Sequence, residues 1–194
     1  MKNFFYLFIV AGFLIISCNS EQNPRVMIET EMGNIEVEIF EKEAPITAAN
    51  FLNHVDSGTY NNGACFYRVV RMDNQPNNDV KIEVVQCGLY RNRSAREIPP
   101  IAHETTEMTG IKHLDGSLSM ARWGPGTATT EFSICIGDQP EMDYGGQRNA
   151  DGQGFAAFGK VVKGMEVAHA IQTQKDTNQY LIQPIKILAM KRVK

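Results

Sequence analysis

The chain has 194 residues, a formal net charge of −3, and charged side chains that make up 21% of the total. No basic patch interleaved with aromatics is present, as a nucleic-acid binder would need, and nothing reads as a membrane-surface helix. The four cysteines form no CxxC pair, and His54, His103, His113 and His169 are scattered, so metal-ligand spacing is absent and neither metal nor cofactor is expected.

Residues 1–17 read as a targeting segment. Lys2 supplies a positive start, and residues 4–16 form an apolar run too short to be a comfortable membrane span. The run ends in Ile15-Ile16-Ser17-Cys18, which is similar to a bacterial lipobox whose cysteine becomes diacylated and N-terminal. A plain signal peptide cut near Ser17 and an uncleaved anchor are the alternatives. Lipid attachment at Cys18 would exceed the two-signal requirement for stable anchoring and implies an exported, membrane-anchored protein of the cell envelope, on the periplasmic side. Residues 18–25 would be a polar tether and residues 26–194 one domain, long enough for a good core.

Within that domain, Val26-Met27-Ile28-Glu29-Thr30 and Asn34-Ile35-Glu36-Val37-Glu38-Ile39 alternate apolar and polar around Glu31-Met32-Gly33, which predicts an antiparallel hairpin. Pro45 opens a helix with Ala48, Phe51, Leu52 and Val55 on one face, and Gly58 closes it. Cys65-Phe66-Tyr67-Arg68-Val69-Val70 is a strand by its aromatic and β-branched content, continuing to Met72. Asn74-Gln75-Pro76-Asn77-Asn78-Asp79 is a turn, and residues 80–86 are the return strand. Cys65 and Cys87 thus fall on paired strands; buried thiols are the default and a disulfide the alternative. Residues 117–121 and 132–137 are short strands around Gly124-Pro125-Gly126, and residues 156–162 are another. Residues 165–172 form a second helix, with Val167, Ala168 and Ile171 facing in, and residues 184–190 a last strand. Many short strands with two separated helices predict a closed antiparallel barrel.

Arg68 stands out, because a charge within an apolar strand must reach water, a partner or a ligand. A solvent-facing strand arginine is the plain reading. Its surroundings argue for more: Ala44-Pro45-Ile46-Thr47-Ala48-Ala49-Asn50-Phe51 upstream, then Gln86-Cys87-Gly88, Gly116-Ser117-Leu118-Ser119-Met120-Ala121-Arg122, Glu131-Phe132-Ser133-Ile134, and Phe158-Gly159-Lys160-Val161-Val162-Lys163-Gly164-Met165. In that order, from about Met27 to the C-terminus, the chain resembles the cyclophilin-type peptidyl-prolyl isomerases. The resemblance implies a mainly β fold, a closed eight-stranded antiparallel barrel capped by two α-helices. It also implies a monomer that rotates Xaa-Pro bonds in proline-containing peptides or unfolded exported proteins. Arg68 matches the catalytic arginine and Gln86 the glutamine that orients it, with Phe66, Val84, Ala121, Arg122, Glu131, Ser133 and Phe155 placed around the substrate; Arg122 offers its backbone.

Several pocket positions depart from the family pattern. Glu83 and Val84 stand where it has phenylalanine and methionine, and Ser133 where it has phenylalanine. Glu141 or Met142 stands near its loop aromatic, Phe155 replaces histidine or tyrosine, and Tyr67 replaces histidine. Trp123 is placed to flank the peptide groove or to pack in the core. Glu131 replaces the usual glutamine and is expected close to Arg68, where a bidentate pair would damp turnover. A catalytically weak or inactive peptide-binding module is the alternative function.

Overall fold

The computed structural model describes residues 22–90, 92, 95 and 97–193. Cys18, the targeting segment and tether residues 19–21 lie outside them. Among the described residues nine strands form one sheet: β1 (Arg25–Thr30), β2 (Gly33–Ile39), β3 (Cys65–Val70), β4 (Val84–Gly88), β5 (Ser117–Met120), β6 (Phe132–Cys135), β7 (Ala156–Lys163), β8 (Asp176–Thr177) and β9 (Tyr180–Arg192). Their order is β1-β2-β7-β5-β6-β4-β3-β9-β8, and β9 pairs back onto β1. Eight strands therefore close an antiparallel barrel, and the two-residue β8 is appended to β9. Closure removes the sheet edges that would otherwise be left unpaired.

Alternation aims Val26, Ile28, Ile35, Val37, Phe66, Val85, Leu118, Phe132, Ile134 and Phe158 into one core. Helix α1 (Pro45–Asp56) buries Ala48, Phe51, Leu52 and Val55 as its spacing predicts, and Phe51 meets Phe132 edge-on at 5.1 Å. Its first turn has no side-chain cap of its own. The Glu104 carboxylate accepts the Ile46 and Thr47 N–H groups instead, at 3.1 and 2.7 Å. A four-residue helix, α2 (Thr106–Thr109), is capped by the Thr105 side chain and was not expected; α3 (Met165–Gln172) follows the predicted bounds. The two long helices lie on different strands, α1 on β7 and β9, α3 on β2, β3 and β4.

Two expectations are corrected. The hairpin arms do not run to Met72 and back from Val80, because β3 stops at Val70 and β4 starts at Val84. Asn74 accepts from Arg71 N–H and donates to the Val69 carbonyl, and Gln75 donates to the carbonyls of Arg71 and Ile82. These side-chain amides take the ladder's partners and turn residues 71–83 into a folded excursion. The last strand is longer than predicted, beginning at Tyr180. The disulfide alternative also falls. Cys65 faces Gly88 and Phe66 faces Cys87, so the two cysteines point to opposite faces and no disulfide links them.

Candidate active site

The site begins with a register shift. In the β3–β4 ladder Phe66 pairs with Cys87 and Arg68 with Gln86, which leaves Tyr67 as an extra residue. A bulge of this kind re-aims side chains. Here it sends Phe66 inward, wholly buried in the barrel core, and puts both Tyr67 and Arg68 on the wall of an outer cavity. The expectation that Phe66 touches substrate is therefore wrong; it supports the site from beneath.

Arg68 Nη1 donates to Gln86 Oε1 at 2.9 Å, as expected. Its Nε and Nη2 both donate to Gln179 Oε1, at 3.1 and 2.6 Å, a partner the sequence did not reveal. Asn178 and Gln179 form the two-residue turn between β8 and β9, with φ of 52° and 73°. Two consecutive positive φ values suit the twist of a tight hairpin. The turn is pinned: Gln179 N–H donates to Asp176 Oδ1, Gln179 Nε2 to the Asn74 carbonyl, and Val69 N–H to the Gln179 carbonyl. Three of the five guanidinium N–H groups are thus committed, leaving one on each terminal nitrogen.

Glu131 lines the same cavity but does not pair with Arg68. Its Oε1 accepts the Leu89 N–H at 2.7 Å and the Thr130 hydroxyl at 3.2 Å, and Oε2 is buried with no hydrogen-bond partner among the described residues. The expected bidentate pair fails because two glutamines already hold the guanidinium, while Leu89 N–H, just past the end of β4, needs an acceptor. A Cβ on Gly88 would lie 2.5 Å from the Glu131 carboxylate, so glycine is what lets the carboxylate reach that amide. Burial raises the Glu131 carboxyl above the ordinary range, against the opposing pull of Tyr67, Leu89 and Thr130. Gln86 Nε2 donates to the Tyr67 hydroxyl at 2.8 Å, so one amide fixes both the arginine and the tyrosine.

The apolar end of the cavity is a second hydrophobic cluster, outside the barrel: Val70, Ile82, Val84, Cys135 and Met142, with Phe155 packed on it. Val84 stands where expected. Glu83 does not face the cavity; alternation turns it toward α3, where Gln172 Nε2 donates to it, and brings Ile82 into the wall in its place. Met142, not Glu141, takes the position near the loop aromatic. Ser133 and Ser119 lie side by side across β5 and β6, and both line the cavity. Ser119 is held from below, its Oγ 2.9 Å from His113 Nε2, with His113 Nδ1 2.8 Å from Asp143 Oδ1. The order resembles a nucleophile–base–orienter relay, but Ser119 is 1% exposed, so it serves as floor.

The remaining expected residues also meet here. Ala121 lines the cavity, its N–H given to the Glu131 carbonyl at 2.8 Å. The Arg122 guanidinium is committed within the protein: Nη1 and Nη2 donate to Asp151, each at 2.8 Å, and Nε donates to the Gly154 carbonyl. Its guanidinium lies 5.4 Å from the centre of the Phe155 ring and so fixes that wall. Trp123 is 95% exposed at the mouth, which excludes a core role. Arg148, Tyr90 and Tyr180 were missed; Arg148 donates to Gln75 Oε1 and the Val80 carbonyl, joining the 71–83 excursion to the loop after Met142. The cavity measures about 290 Å³.

Known proteins match most of the chain. The family described as "Cyclophilin type peptidyl-prolyl cis-trans isomerase/CLD" covers residues 25–192. A peptidyl-prolyl cis-trans isomerase of Acinetobacter baylyi is 33% identical over 94% of this chain and 92% of its own. Peptidyl-prolyl cis-trans isomerase A of Dickeya dadantii is 35% identical over 80% of this chain and 75% of its own. Among solved structures, a Cryptosporidium parvum cyclophilin-type isomerase superposes with a TM-score of 0.69 at 21% identity, covering 89% of this chain and 98% of that one. A guanidinium held at two corners beside an apolar pocket, on a barrel of this order and with relatives of this identity, makes the chain a member of the cyclophilin-type peptidyl-prolyl cis-trans isomerase family.

Proposed function

We propose that this isomerase acts on Xaa-Pro bonds of exported proteins while tethered to a membrane through Cys18, and that its turnover is moderated by a less aromatic pocket. The observation that carries the catalytic reading is Arg68, fixed by Gln86 and Gln179 with one free N–H on each terminal nitrogen. Rotation of a prolyl bond is slow because amide resonance sets a barrier of about 18–20 kcal/mol. Twisting frees the lone pair on the prolyl nitrogen. One guanidinium N–H donates to that nitrogen as it becomes an acceptor, and the other steadies a neighbouring carbonyl; because the group is already fixed, no reorganisation is needed at the crossing. The proline ring packs on Ile82, Val84, Met142 and Phe155, and the chain beside it runs past the Ala121–Arg122 backbone. Ser133 gives that ring less apolar area than the family's phenylalanine.

Support for the tether is Cys18 at the end of the apolar run. The substrate class follows from export: proteins reaching that compartment unfolded expose prolyl bonds there. The testing experiment is a direct or protease-coupled isomerisation assay on Xaa-Pro peptides. Arg68→Ala is expected to lose about 10²–10³-fold in kcat/KM while keeping its circular dichroism. Ser133→Phe is expected to gain about tenfold, the value of one buried aromatic contact. Peptide binding without turnover in the wild type would replace the catalytic reading with that of a binding module. Equal membrane partitioning of Cys18→Ala and wild type would remove the lipid anchor.

A further inference from the structure

We propose that the tyrosine wall beside Arg68 is a subsite for an aromatic side chain carried by the substrate within two residues of the prolyl bond. This rests on the isomerase reading and names the substrate class of the same site. Tyr67 comes from the β3 bulge, Tyr90 follows β4, and Tyr180 opens β9 directly opposite Arg68. The Tyr67 and Tyr90 rings are stacked, with centroids 4.8 Å apart and a 17° interplanar angle. Tyr180 lies 6.4 Å from Tyr67 and 5.9 Å from Tyr90, tilted by 20° and 32°. Three segments thus bring three near-parallel rings to one cavity wall.

The burial is graded. Tyr67 is 3% exposed and forms the base, whereas Tyr90 is 51% and Tyr180 41% exposed. Rings that served only to fill a core would be covered; Tyr90 and Tyr180 instead remain exposed on the wall of the cavity that would hold the rotating prolyl amide. The base is locked to the catalytic group, since Gln86 donates to the Tyr67 hydroxyl and accepts from Arg68. Neighbouring strands lie about 4.8 Å apart and an extended peptide advances about 3.3 Å per residue, which sets the reach at one or two residues from the proline. Near-parallel rings favour a planar partner in offset stacking. A cationic side chain, which rings would otherwise attract, is opposed by Arg68 and Arg148 in the same cavity.

The test compares Xaa-Pro peptides that differ only by Phe or Ala at each of the two positions on either side of the prolyl bond. The wild type is expected to favour Phe at one of these positions by about tenfold in kcat/KM. Tyr180→Leu and Tyr90→Leu should bring that ratio close to one, and Tyr180→Phe, which keeps the ring, should preserve it. A wild-type ratio near one at every position overturns the proposal. So does a ratio that survives both leucine substitutions, which would make the stack purely structural. If a leucine variant fails to fold, the wild-type ratio and Tyr180→Phe still decide. If no peptide is turned over, calorimetric Kd values for the same peptides separate the two failures: a Phe preference keeps the subsite while the isomerase reading falls, and equal Kd values overturn the subsite.

Discussion

A guanidinium can act as a fixed donor only if something holds it, and in this site the holding residue nearest to strain is Gln179. An L-residue at φ 73° carries a penalty that glycine escapes. Gln179→Ala and Gln179→Gly remove the same two hydrogen bonds from Arg68, so both are expected to lower kcat about tenfold with KM little changed. They should part in stability, with the glycine variant more stable than the alanine variant by about 1 kcal/mol. Steady-state kinetics beside denaturant melts would read both, and an unchanged kcat in either variant would remove Gln179 from the catalytic arrangement. Glu131 gives a prediction with a pH sign. Its folded-state pKa is raised by burial, so its contribution to stability is full at low pH and is lost as pH rises through that value. Glutamine keeps an acceptor for Leu89 N–H and cannot ionise. Glu131→Gln should therefore melt above the wild type at pH 7, and the gap should close as pH falls through the carboxyl's titration. A gap that stays constant from pH 7 to pH 4 would disprove this. Because Glu131 makes no hydrogen bond or ion pair with Arg68, turnover should change little.

At the level of elements, the loop after Met142 supports the proposed proline pocket through one ion pair. Asp151 is held down to about 2, first by the hydrogen bonds from Arg122 and then by the Gln153 N–H. A lowered carboxylate contributes above its ordinary range and loses that contribution as pH falls toward about 2. The pair is partly exposed and its worth to overall stability is small, yet it also fixes Phe155. Asp151→Asn should raise KM for prolyl peptides about two- to fivefold, leave kcat nearly unchanged, and melt close to the wild type. A fall in kcat with KM intact would point to a different role for the loop. Elements of this kind also mark where sequence reading stopped. The first hairpin, α1 and α3 were legible because apolar spacing and turn residues are local. The 71–83 excursion was not, because Asn74 and Gln75 spend their side chains on backbone groups that a strand would have paired. Phe66 and Glu83 were assigned to the wrong faces because a single extra residue in β3, and the alternation leading into β4, decide which neighbours face out. Gln179 lies 111 positions from Arg68, and nothing in the Asn178-Gln179 turn signals the contact.

Over the whole molecule, closure of the sheet separates two apolar regions that the linear order of hydrophobic residues could not distinguish. One fills the barrel; the other, smaller, lies outside it against the cavity that Arg68 lines. Each contains a wholly buried cysteine, Cys87 in the first and Cys135 in the second, on strands β4 and β6 that pair directly. Burial raises both thiols, so neither reacts until water reaches it. The outer cluster is small and roofed by the two loops that Arg148 joins, and regions with few apolar contacts open at lower free energy than the core. A thiol reagent, followed by mass spectrometry of the fragments, should label Cys135 faster than Cys87 under native conditions. Cys87 should follow the global unfolding rate. A saturating prolyl peptide, seated on the outer cluster, should slow Cys135 by more than it slows Cys87, because it closes the local route and leaves the global one. Equal rates at the two sites, unaffected by peptide, would mean that pocket and barrel open only together, and the substrate would then meet a rigid wall.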